Sequence, residues 1–199
     1  MTATEDIKAT IIRTTRDLVA HNASITIRDI AEACFVNVAA VNYHFGSKDR
    51  LLSIVLNQFI DEIKASVVAK MDAILPATPI QVTLEAMINL IYSFAIDNSG
   101  VIGYLFMQGG NRDFASNLLL DAFFSDSEFK RMVIQKLSES TGIKDEAVLS
   151  ARYILLFSCF AIPLFIQILE DAGGKGDIAT LKDPNFRQAY IHELIRMIQ

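Results

Sequence analysis

Residues 37–48, NVAAVNYHFGSK, constrain the fold of this chain more than any other stretch. Asn37 can cap a helix start, because its side-chain oxygen accepts from the N–H groups of the first turn, and Ser47 can do the same for the next helix. Between the two stand the small residues Val38, Ala39 and Ala40 and the rings of Tyr43, His44 and Phe45. Upstream, Ile27 to Cys34 has a short helical pattern, with Thr26 as its cap and Asp29 at the third position making a capping-box-like pair. Two short helices, a tight turn and a long following helix form a helix-turn-helix, whose second helix reads DNA.

Composition narrows the possibilities. A chain of 199 residues holds one domain or two small ones. With 52% apolar and 21% charged residues it is too apolar to be disordered. The net charge of −5, and the six Lys/Arg against six Asp/Glu in residues 1–50, mean that phosphate attraction must come from placement rather than from excess charge. Cys34 and Cys159 lie far apart in apolar helical patterns. They read as buried free thiols of a reducing compartment rather than as a disulfide. The first ten residues lack the apolar core of a signal peptide, so a cytoplasmic protein is expected.

The rest of the chain is also patterned for helices, and no strand alternation persists. A first amphipathic helix carries Ile7, Ile11, Leu18 and Val19 and ends near His21 and Asn22, where Asn22 can take a left-handed cap. A fourth helix, 47–75, stops before Pro76, and the Pro76–Pro79 break suggests a boundary. Ile80–Asn98 is a fifth helix. Val101–Ser125 is interrupted at Gly103, Gly109 and Gly110. Asp126 can cap a helix through Ser140 that ends at Gly142. Lys144–Ala172 is a long helix, followed by a loop at Gly173–Gly176 and a closing helix over Pro184–Gln199. Within the long helix, Tyr153–Leu169 runs 17 residues without a charge, the lower limit for a membrane span. Ser158, Pro163 and Gln167 interrupt that run, and no second candidate exists, so a helix buried in a core and an oligomer interface is expected rather than a membrane protein.

Residues from about Ile11 to Leu56 resemble the DNA-binding domain of the TetR family of transcriptional regulators. The resemblance rests on Ile30, Ala31 and Ala33, on Val36 and Asn37 at the turn, and on Val41, Tyr43, His44, Phe45, Ser47, Lys48 and Leu51. It implies an all-α protein with an N-terminal three-helix helix-turn-helix domain, residues 1–50. A helical ligand-binding and dimerisation domain, residues 51–199, would follow, with helix 47–75 connecting the two. It also implies a homodimer formed by the last two helices as a four-helix bundle, and repression released from a palindromic double-stranded operator by a small molecule. Two features depart from the family pattern. Phe35 stands where the turn usually has Gly, and a Phe with positive φ is strained, so either the turn is reshaped or Phe35 packs outward or into the domain. Glu5 and Asp6 stand where many members carry a basic arm.

The chemistry of the motif assigns the DNA-facing set as Arg28, Asn37, Val38, Ala39, Asn42, Tyr43, His44 and Lys48. Small residues at the start of the recognition helix let it approach a groove wall. Asn42 can pair with an adenine edge. Tyr43 and His44 suit phosphate contact, and Lys48 adds a charge beside the N–H groups of a helix start. Arg28 can reach the backbone from the first turn of the second helix. Taken singly, Tyr43 and His44 are each more often satisfied side chains of a small helical core than DNA ligands, and Phe45 reads as core.

A ligand pocket would be lined by Phe94, Tyr104, Phe106, Met107, Phe123, Phe124, Phe157 and Phe160, although each aromatic alone reads as core. Apart from Arg112 and Arg152 no charge stands out in these runs, which suggests an apolar or amphipathic effector. No enzyme is expected. His21, His44 and His192 share no metal spacing, and neither a Gly-x-Ser-x-Gly nor a phosphate-binding Gly-Lys-Ser/Thr loop is present, so no cofactor or metal is assigned. The competing reading is a helical ligand- or partner-binding protein of the same fold without DNA function.

Overall fold

A computed structural model of the chain describes residues 3–74, 78–107, 117–118, 120–125, 127–171, 173 and 180–198. Its helices are α1 (Ala3–His21), α2 (Ile27–Ala33), α3 (Val38–Phe45), α4 (Lys48–Asp72), α5 (Ile80–Asp97), α6 (Ser99–Met107), a π-helical turn (Leu120–Phe124), α7 (Glu128–Thr141), α8 (Glu146–Asp171) and α9 (Pro184–Ile198). Every regular element among the described residues is helical, as the apolar periodicity predicts.

Side-chain caps set most boundaries. The Thr26 hydroxyl accepts from the Asp29 N–H at 3.2 Å, and the Asp29 carboxylate accepts from the Thr26 N–H at 2.7 Å, which closes the capping box. Asn37 accepts from the Ala40 N–H at 2.7 Å, and Ser47 from the Arg50 N–H at 3.2 Å. Asp145 accepts from Ala147 and Val148, so α8 begins at Glu146, two residues after the expected Lys144. Asp183 and Pro184 start α9, with Pro at the first helical position, where its missing N–H costs nothing.

Some expectations are corrected. Asn22 does not take a left-handed cap; its side chain accepts from the Ser24 N–H at 2.8 Å in an Asx turn. Ser127 caps α7, and Gly142 (φ 72°) ends it; Asp126 lies outside the described residues. The fourth helix ends at Asp72. Pro76, Gly109, Gly110, Arg112 and the 174–176 loop also lie outside the described residues. Both cysteines are free, but Cys34 is only half-buried.

The chain forms two compact units. One comprises Met1–Glu62 and Asp97–Ala115, the other Ile63–Ile96 and Ser116–Gln199. In the first, α1 packs on α2 and α6, and α2 on α3. Ile11, Val19, Ile30, Val41, Leu51, Leu52 and Leu56 are wholly buried there. The approach of α6 to α1 needs a residue without a side chain: a Cβ on Gly100 would lie 2.3 Å from both the Val19 carbonyl oxygen and the Asn22 nitrogen. Arg16 ties α1 to α4, pairing with Glu62 while its guanidinium lies 4.2 Å from the centre of the Phe59 ring.

The second unit is organised around Pro163 inside α8. Proline has no N–H, so the Cys159 carbonyl loses its partner four residues on. Two tyrosines replace it. Tyr92 of α5 donates at 2.8 Å and Tyr190 of α9 at 3.4 Å. Both hydroxyls are raised above the usual tyrosine value, chiefly by burial, and burial pushes the Cys159 thiol up to about 12. The carbonyl left open by Pro163 therefore becomes the point where three helices are joined.

Tyr92→Phe should cost about 1–3 kcal/mol in urea unfolding, because it strips the shorter bond from a buried carbonyl. In a Pro163→Ala background, where residue 163 regains its N–H, the same substitution should cost clearly less. Equal costs in both backgrounds would contradict this account.

Candidate nucleic-acid interface

The interface is built from the end of α2. Three backbone bonds close that helix: Cys34 N–H to Ile30 at 3.0 Å, Phe35 N–H to Glu32 at 3.1 Å, and Val36 N–H to Ala31 at 3.0 Å. The last two are the paired bonds of a Schellman motif, which requires a left-handed residue between them. That residue is Phe35, with φ 54°, and its ring is 97% exposed. The turn is therefore not reshaped; Phe35 adopts the conformation that glycine adopts more cheaply, and its side chain points into solvent.

The turn delivers Asn37 to its capping position and α3 into view. Val41 and Phe45 point inward and are buried, while Ala39, Asn42 and Tyr43 are exposed at positions i, i+3 and i+4 of the helix. Tyr43 is 83% exposed. Val38 is half-buried. So is His44, whose ring meets Tyr43 edge-on (centroids 5.2 Å apart, 74° between planes) and Phe45 similarly at 6.4 Å. Asn37 is exposed, its carbonyl oxygen engaged in the cap. Arg28 is exposed on the first turn of α2. The Lys48 ammonium donates to the Ile25 carbonyl at 3.2 Å, which pins the start of α4 to the segment ahead of α2. An ammonium has three donors, so this bond leaves two. An open groove of about 320 Å³ lies beside the turn, lined by Asp6, Ile7, Thr10, Ile11, Cys34 and Val36.

The aromatic residues expected around a ligand separate into groups. In the second unit, Phe157 lies 5.3 Å from Phe123 and 5.0 Å from Phe124 between ring centres. Tyr153 joins them, donating its hydroxyl to the Phe123 carbonyl; burial pushes that hydroxyl up to about 12. The Lys64 ammonium stands 5.4 Å from the Phe123 ring and 5.8 Å from the Phe129 ring, a pairing that no sequence spacing signals. Phe160 packs edge-on against Tyr92 at 5.3 Å, and Phe94 is half-buried on α5. Tyr104 is buried in the first unit, where burial and the Asp49 carboxylate raise its hydroxyl. Phe106 and Met107 close α6, and their side chains lie outside the description. Among the described residues no three His, Cys, Asp or Glu side chains come together as a metal site.

Residues 11–54 match the model for bacterial regulatory proteins of the tetR family. That segment is similar to tetR-family bacterial regulators. The matched residues run from the middle of α1 into the first turns of α4 and so include the whole capped turn and α3. Two solved structures are similar to this chain in fold. One is a transcriptional regulator from Rhodococcus sp. Rha1, 17% identical, with a TM-score of 0.66 over 99% of this chain and 96% of that one. The other is a tetR-family transcriptional regulator from Streptomyces coelicolor, 15% identical, with a TM-score of 0.64 over 100% of this chain and 79% of that one. No curated protein matches the chain by sequence.

Asn37→Ala should lower stability by about 1 kcal/mol in chemical unfolding, through loss of the α3 cap, whereas Asn37→Asp should leave it near that of the parent. A silent Asn37→Ala would show that α3 is held by packing alone.

Proposed function

We propose that the chain is a homodimeric, DNA-binding transcriptional regulator that represses from a palindromic operator and is released by an apolar or amphipathic small molecule. The exposed face of a capped α3, with Ala39, Asn42 and Tyr43 in one stripe, carries this reading. Ala39 allows close approach, Asn42 reads an adenine edge, and Tyr43 donates to a phosphate. Arg28, His44, the Asn37 amide and the remaining Lys48 donors add backbone contacts, with Val38 beside them. Residues 1–50 bind DNA; residues 51–199 bind the effector and dimerise, and α4 links the two tasks.

Dimerisation is supported by α8. Val148, Ala151, Leu155, Ser158, Ile162, Phe165 and Leu169 are all exposed and alternate at spacings of three and four residues. Ile162 is 65% exposed. Such a seam is the pattern by which one helix packs against another. By length and composition α8 could cross a membrane; the buried Gln167 and the stripe of Ala151 and Ser158 favour a protein partner, in a cytoplasmic dimer. A dimer sets two recognition helices roughly 34 Å apart, the spacing of successive major grooves. The rings of Phe123, Phe124 and Phe157 are the core of the proposed effector site. Binding there would favour a conformer in which the α4 helices hold the recognition helices at the wrong separation.

Gel shifts with fragments flanking the chain's own gene should show binding that weakens steeply as salt rises. No binding to any genomic fragment at low salt would overturn the reading in favour of a ligand- or partner-binding protein of this fold. Light scattering should report a dimer, and Ile162→Glu should give a monomer with DNA affinity reduced at least tenfold, because one half-site alone remains.

A further inference from the structure

Phe35 combines two unfavourable features. A left-handed backbone costs a side-chain-bearing residue about 1–2 kcal/mol relative to glycine. Its ring, 97% exposed, recovers nothing by burial, although its neighbours Cys34 and Val36 both line an open groove. In the isolated chain the ring thus serves neither packing nor turn geometry. Its position is informative: Phe35 precedes the α3 cap, Asn37, by two residues, so the two Cα atoms are at most about 7 Å apart. The start of a recognition helix is the part that meets base edges. Any duplex read by α3 therefore passes within reach of the Phe35 side chain.

We infer that Phe35 is a DNA contact, its ring packing on the apolar rim of the major groove, where deoxyribose carbons and thymine C5-methyl groups are displayed. A ring set there loses its solvent exposure only in the complex, which converts a cost in the free protein into affinity. This inference rests on the DNA-binding reading above. It adds a residue where the family pattern has only a hydrogen atom, and makes the turn itself part of the recognition surface.

The test uses the full chain, its selected operator, and Phe35→Gly, Phe35→Ala and Phe35→Leu. Phe35→Gly should raise the denaturant midpoint, because it relieves the left-handed backbone, and yet weaken operator binding about tenfold. Phe35→Ala should weaken binding equally, and Phe35→Leu should retain part of the affinity. Operators carrying deoxyuridine in place of thymidine distinguish the two apolar sources: a wild-type loss that vanishes in Phe35→Ala identifies the methyl groups, and no loss identifies the sugars. Unchanged affinity in Phe35→Gly and Phe35→Ala overturns the inference while the DNA reading stands, as does a loss in Phe35→Ala alone, which would trace to the backbone. A wild-type chain that binds no DNA fails the reading itself.

Discussion

Two backbone hydrogen bonds, from Val36 to Ala31 and from Phe35 to Glu32, determine where everything useful in the first unit points. They end α2, force residue 35 into the left-handed region and turn the chain so that Asn37 can cap α3. Once α3 starts there, its period sends Val41 and Phe45 into the core and Ala39, Asn42 and Tyr43 out. The Lys48 bond to Ile25 then closes the loop by fastening α4 to the same motif. The reading surface proposed for these few exposed side chains thus depends on main-chain bonds that carry no sequence information themselves.

The features legible in the sequence were those whose partners lie within a few residues. Thr26 with Asp29, Asn37 with Ala40 and Ser47 with Arg50 are interactions over three positions, so residue type and spacing suffice to anticipate them. For Phe35 the strained position was legible but its outcome was not, because residue type alone does not decide between a reshaped turn and a left-handed residue with its ring outward. Asn22 misled for a local reason too: Asn tolerates the left-handed region but also forms Asx turns, and Ser24 lay within reach of its side chain.

Long-range partners were not legible. Nothing in the spacing of Tyr92, Pro163 and Tyr190 shows that two hydroxyls serve one carbonyl, although a proline inside a helical pattern does announce that some carbonyl needs a donor. Tyr104 is similar. Its aromatic neighbours in sequence suggested a shared cavity, but α6 packs with α1 and takes Tyr104 into the first unit. Lys64 reads as an ordinary surface charge until the rings of Phe123 and Phe129 are placed beneath it. The exposed α8 stripe falls between these cases: the uncharged run was visible, and folding decided which side of the helix remained uncovered.

Gly100 has a mechanical meaning beyond its fit. Most helix contacts are cushioned by side chains, which absorb a small displacement by changing rotamer before the neighbouring backbone must move. Where α6 meets Val19 and Asn22 there is no such cushion, since even a methyl group would overlap main-chain atoms. The two helices touch there as stiff bodies, so an advance of α6 toward α1 cannot be taken up at the junction and is borne by the end of α1, immediately ahead of the segment that leads into α2.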